Sequence, residues 1–154
     1  VDTVLVRSAA MNKDVKVVYV LPDKAIGKQA CPVVYLLHGY GGNARSWVQL
    51  KPELPQMADE KGIIFVCPDG KNSWYWDSPE NPAYRYETFV TSELVKYTDG
   101  NYATIPDRKA RAISGLSMGG HGALWSAIRH KDVFGAAGSM SGGVDIRRSP
   151  RIGK

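Results

Sequence analysis

The residues with the clearest chemical potential lie in the run Lys109-Ala-Arg-Ala-Ile-Ser-Gly-Leu-Ser-Met-Gly-Gly-His-Gly-Ala-Leu-Trp125. Its centre, Gly115-Leu-Ser-Met-Gly119, matches G-x-S-x-G, the spacing of a sharp strand-to-helix turn that presents one serine. Glycines two residues either side are needed because a Cβ there would strike the neighbouring strand and helix. The Ser117 hydroxyl would then stand clear of the sheet above a helix N-terminus, where unpaired amides and the helix dipole favour developing negative charge. That is the setting for nucleophilic attack on a carbonyl.

The flanking sequence agrees with the turn. Ala110–Ser114 reads as a short buried strand, and Gly119–His130 as a helix with Leu124, Trp125 and Ile128 on its apolar side. A second glycine-rich segment, His38-Gly-Tyr-Gly-Gly-Asn43, follows the continuous apolar run Pro32–Leu37, which suits a strand covered on both faces. It lacks the G-K-[ST] ending of a phosphate-cradling loop. No metal-ligand spacing is present, so neither a metal nor a cofactor is implied. Trp74, Tyr75, Trp76 and Tyr84 cluster after a further apolar run, Ile63–Cys67. They could wall an acyl or aryl pocket, or pack their loop onto the scaffold.

The elements that must position these residues alternate. Val4–Arg7 and Val15–Leu21 predict an antiparallel hairpin around Met11–Asp14, and Lys24–Ala30 a polar loop. Ser46–Glu60 predicts a helix broken by Pro52 and Pro55 and closed at Gly62. Tyr86, Phe89, Val90, Leu94 and Tyr97 fall at helical spacing with Gly100 as the stop, and Phe134–Met140 predicts another inner strand. The order implies a mainly parallel sheet with helices on both faces and an antiparallel N-terminal edge.

The chain has 154 residues, 44% hydrophobic and 23% charged, as in one ordinary globular domain. Its net charge of +5 comes mostly from Arg147, Arg148, Arg151 and Lys154; the rest mixes signs, which argues against nucleic acid as a partner. No apolar run reaches the ~18 residues of a membrane span, so no membrane partner is expected. Cys31 and Cys67 fall at opposite ends of two predicted parallel strands, too far apart for a bridge, and are expected to be free thiols that leave the compartment open.

Taken together, Leu36–Asn43, Asn72–Tyr75, Tyr86–Thr88, Arg111–Gly120 and Arg129–Phe134 resemble the esterase D-like family of α/β-hydrolases, with the likeness running from about Val4 to Val144. Asn72-Ser-Trp-Tyr75 leans toward its tributyrin and feruloyl esterase branch. The resemblance implies Ser117 as nucleophile and an oxyanion hole made by the amides of Tyr40 and Met118, with Trp74, Tyr75 and Trp76 as substrate-binding candidates. It implies a serine carboxylesterase for small short-chain acyl or aryl esters, carbohydrate-linked ones included. Acyl transfer on the same fold and a non-catalytic binding module are the alternatives, and a homo-oligomer is compatible with it.

A serine nucleophile also needs a base and an orienting acid, in the order Ser, Asp or Glu, His. The histidines are His38, His121 and His130, and none follows Asp145. His38 reads as structural, His121 as helix packing and His130 as a charge at the helix end. Residues 1–154 are therefore expected to be a single α/β-hydrolase domain incomplete at its C-terminus, inactive or nearly so alone.

Overall fold

The computed structural model describes residues 2–71, 73, 75–139 and 147–148. Strands β1 (Asp2–Ser8) and β2 (Lys13–Val20) form the N-terminal antiparallel hairpin. β2 joins β4 (Ile64–Pro68) antiparallel; β3 (Val33–Leu37) then pairs in parallel with both β4 and β5 (Arg111–Gly115), and β5 with β6 (Ala136–Ser139). With β7 (Arg147–Arg148) at the far edge, the sheet order is β1-β2-β4-β3-β5-β6-β7. The mainly parallel sheet with an antiparallel N-terminal edge is as the sequence implies.

Side-chain alternation along the inner strands divides the core into two layers. Val33, Tyr35, Leu37, Ile64, Val66 and Ile113 face one side, where Phe89, Val90, Leu94, Ala123 and Ala127 cover them. Leu36, Phe65 and Cys67 face the other, against Trp47, Leu54 and Ala58. The second layer belongs to α2 (Ser46–Leu50) and α3 (Leu54–Lys61). The prolines split the predicted helix into these two pieces, and Gly62 closes α3 at φ 64°, a left-handed turn that suits glycine.

The first layer belongs to α4 (Tyr86–Thr88), a π-helical stretch Phe89–Glu93, α5 (Leu94–Asn101) and α6 (Met118–Arg129). Gly100 does not end its helix as expected; it lies within α5, and the chain turns extended at Tyr102. The predicted polar loop after β2 opens with a single helical turn, α1 (Asp23–Ile26). Arg147–Arg148 forms β7, pairing antiparallel with Gly138 and Ser139 of β6. Cys31 and Cys67 are both buried and unbridged. Among the described residues no helix is long and apolar enough to cross a membrane.

Candidate active site

β5 ends at Gly115 and α6 begins at Met118, leaving two residues for the reversal. Ser117 takes φ 56° and ψ −114°, a region that costs a non-glycine residue of order 1–3 kcal/mol. The surrounding packing enforces it. A Cβ on Gly115 would lie 2.1 Å from the Gly119 carbonyl oxygen, and one on Gly119 would lie 2.1 Å from the Leu37 carbonyl oxygen. Helix α6 can thus start hard against β3 and β5 only because both positions are bare. Ser117 itself is exposed between half-buried Leu116 and buried Met118.

The His38–Gly42 turn lies beside it: a Cβ on Gly39 would sit 3.5 Å from the Ser117 Cβ. Leu37, just before the turn, is anchored through its carbonyl, which accepts the Trp47 indole N–H at 3.0 Å and the Leu116 amide at 3.2 Å. Met118 is the first residue of α6, so its amide is one of the donors a helix start leaves without a backbone acceptor. Tyr40 is exposed at the rim of an open depression of about 460 Å³, which Gly39, Gly41, Leu50 and Leu116 also line.

His38 fixes the turn from within. The Gly70 amide, which can only donate, gives its proton to His38 Nε2 at 2.9 Å. Nδ1 therefore carries the ring proton and donates to the Gly39 carbonyl at 2.7 Å. The Asp69 carboxylate, 3.4 Å from the same Nε2, is left the longer contact. The Gly39 carbonyl and the Tyr40 N–H belong to one planar trans peptide, so the bond that holds one aims the other in the opposite direction. With both ring nitrogens engaged and the residue 1% exposed, His38 is structural, as the sequence reading has it.

The other histidines take different places. His121 is exposed on α6, with its ring edge-on to Trp76 and stacked on Trp125 of the same helix. His130 donates from Nε2 to Glu87 at 2.8 Å. Glu87, only 7% exposed, also accepts from Trp125 Nε1 and Arg129 Nε at 3.0 and 2.9 Å. Burial alone would raise its carboxyl, but the hydrogen bonds from His130, Arg129 and Trp125 outweigh that and hold it below the ordinary value. Among the described residues no group of His, Cys, Asp and Glu is placed to hold a metal ion.

The aromatic loop separates into parts. Trp76 is 48% exposed and lines a depression of about 310 Å³ with Trp125 and Arg129. Trp74 lies outside the described residues. Tyr75 corrects the expectation that it walls a pocket: it has no exposed surface, and its hydroxyl donates to the His38 carbonyl at 3.0 Å. Desolvation keeps that hydroxyl well above a phenol's ordinary range, so it remains a donor. Sequence reasoning gave Glu87 no role and left Tyr75 open between a pocket wall and scaffold packing, since neither has a local spacing that decides it. Gly70 and Gly122, which flank the Tyr75 ring in space, were the available signal.

The Putative esterase family profile matches residues 8–151. The chain belongs to that family. An acetyl esterase from Caldicellulosiruptor saccharolyticus is 27% identical over 96% of this chain and 58% of its own length. Among solved structures, an S-formylglutathione hydrolase from Agrobacterium tumefaciens superposes with a TM-score of 0.78 at 28% identity, over 89% of this chain and 56% of that one. A ferulic acid esterase superposes with a TM-score of 0.73 at 31% identity, over 88% and 56%. The fold is that of the α/β-hydrolases, and this esterase-family chain spans little more than half the length of these three proteins.

Proposed function

We propose that Ser117 is the nucleophile of a carboxylic ester hydrolase that works through an acyl-enzyme. The observation that carries this reading is the strained, exposed backbone of Ser117 at the start of α6, beside the Gly39 turn. The Ser117 Oγ attacks the ester carbonyl carbon as its proton passes to a general base, and the carbonyl oxygen becomes an oxyanion. The amides of Tyr40 and Met118 receive that charge; donors so placed are each worth about 10²–10³ in rate. The carbonyl re-forms, and the alcohol leaves with the proton. Water then repeats the sequence on acyl-Ser117 and releases the carboxylic acid.

The base is not one of the three histidines. His38 has both nitrogens engaged, His130 is bound to Glu87, and the His121 ring lies in the Trp76–Trp125 stack. Residues 1–154 alone are therefore proposed to be inactive or nearly so, with base and acid supplied elsewhere in the intact enzyme.

Short-chain acyl and aryl esters are the proposed substrates, supported by the likeness to an acetyl esterase and a ferulic acid esterase. The depression beside Tyr40 and Leu116 suits the acyl group, and Trp76 suits an aryl or sugar portion. A sugar hydroxyl replacing water at the second step would give acyl transfer instead. Labelling with a fluorophosphonate tests the reading: the intact protein is expected to be modified at Ser117 and the 154-residue chain far more slowly. An intact, folded protein that takes no label would overturn the assignment and favour a binding module. Product analysis with p-nitrophenyl acetate and a sugar acceptor separates hydrolysis from transfer.

A further inference from the structure

Tyr75 is a large side chain held where little else would fit. It is fully buried, and its backbone sits at φ 62°, in the left-handed region that tyrosine seldom adopts. Two glycines make room for its ring: a Cβ on Gly70 would come within 2.1 Å of the ring, and one on Gly122 of α6 within 2.6 Å. Its hydroxyl reaches the His38 carbonyl at 3.0 Å, and its ring meets the His38 imidazole edge-on, with centroids 5.8 Å apart.

These contacts converge on one residue from one loop. The loop after β4 holds His38 twice, by its carbonyl through the Tyr75 hydroxyl and by its ring through the Gly70 amide. His38 in turn holds the Gly39 carbonyl, whose peptide unit carries the Tyr40 N–H. The His38 carbonyl also lies against α6, 2.7 Å from where a Cβ on Gly119 would be. The ring of Tyr75 is therefore a spacer between α6 and the turn, and its hydroxyl a tie.

We propose that Tyr75 is a positioning residue for the oxyanion hole, setting the plane of the His38–Tyr40 turn so that the Tyr40 amide faces the Ser117 hydroxyl. This rests on the serine-esterase reading above. Tyr75 touches no reacting atom; it acts through His38. Its removal would leave substrate binding largely intact and weaken only the contact that strengthens in the transition state.

The test is Tyr75→Phe in the intact protein, which keeps the ring as spacer and deletes the tie. Loss of one hydrogen bond predicts a kcat lower by about five- to tenfold with KM within about twofold. A trifluoromethyl ketone, which forms a tetrahedral adduct with the serine, should bind weaker by the same factor as kcat/KM. Amide hydrogen exchange should quicken at residues 38–41 while β3 and β5 keep their protection. A folded variant with wild-type kcat, with a kcat that returns to wild type once it is expressed per active site titrated by fluorophosphonate, or with exchange unchanged at 38–41 overturns the proposal. If the wild-type protein neither turns over esters nor takes a fluorophosphonate, the esterase reading fails, and the exchange pattern alone decides whether Tyr75 sets the turn.

Discussion

The bare Cα of Gly119 presses against the carbonyl of Leu37, so closely that a Cβ would lie 2.1 Å from that oxygen. The contact brings the first turn of α6 onto the end of β3 and so sets Ser117 beside the His38–Gly42 turn. No flexible side chain is present to yield, since the opposing atoms are backbone. Gly119→Ala is expected to destabilise the fold by about 3 kcal/mol or more, read as a lowered urea midpoint, with loss of any activity.

Gly100 gives the opposite expectation. It lies inside α5, and a Cβ there would meet nothing within 4 Å. Gly100→Ala should raise stability by about 0.5–1 kcal/mol, because alanine costs less backbone entropy in a helix. A urea midpoint at or below that of the wild type would contradict this.

Strain at Ser117 predicts a trade between stability and reactivity. In the intact protein, Ser117→Ala should abolish fluorophosphonate labelling and lower ester turnover by at least about 10³-fold, with the fold unchanged. Ser117→Gly should be equally inert yet more stable by about 1 kcal/mol, since glycine accepts φ 56° without the Cβ penalty. Denaturant titrations of the two variants side by side check the difference.

Glu87 predicts an acid limb in the stability profile. Its carboxyl is held below the ordinary 4.5, so its stabilising contribution is complete above that value and is lost as pH falls through the lower folded value. Glu87→Gln should cost about 1–3 kcal/mol at neutral pH, because a buried acceptor shared by Trp125, Arg129 and His130 becomes a partial donor. Half the Arg129 side chain is exposed, so solvent screens its share. The difference between wild type and variant should shrink below about pH 4.5; a difference constant from pH 7 to pH 3 would refute the assignment.

The two thiols predict chemical silence. Both are buried, and burial pushes the Cys67 thiol up to about 12, far from the thiolate form that reacts. Neither should react with iodoacetamide in the native protein, and both should in urea. Prompt native labelling at Cys67 would show that the Phe65–Cys67 layer opens.

Local sequence determined a good deal. G-x-S-x-G after an apolar strand located the turn at Ser117, because Gly115 must clear the Gly119 carbonyl four residues on, although Gly119 itself must clear Leu37 of a distant strand. The parallel strands β3 and β4 were legible as apolar runs, and Pro52, Pro55 and Gly62 marked where helices break and stop, since these residues act on their own backbone torsions. Gly100 misled for a related reason: a glycine signals a stop only where φ turns positive, and this one keeps a negative φ inside α5, which ends at Asn101.

What only the tertiary structure decided depends on residues far apart in sequence. His38 reads as a structural histidine in any case, but its tautomer is set by the Gly70 amide, 32 positions away. Glu87 becomes a buried acceptor only when α6 brings Trp125, Arg129 and His130 to it. From sequence Tyr75 could wall a pocket or pack its loop onto the scaffold; Gly122 of the neighbouring helix leaves the space that draws it inward. Propensity and periodicity describe a residue's own neighbourhood; which distant backbone carbonyl a hydroxyl meets is fixed by how the layers pack.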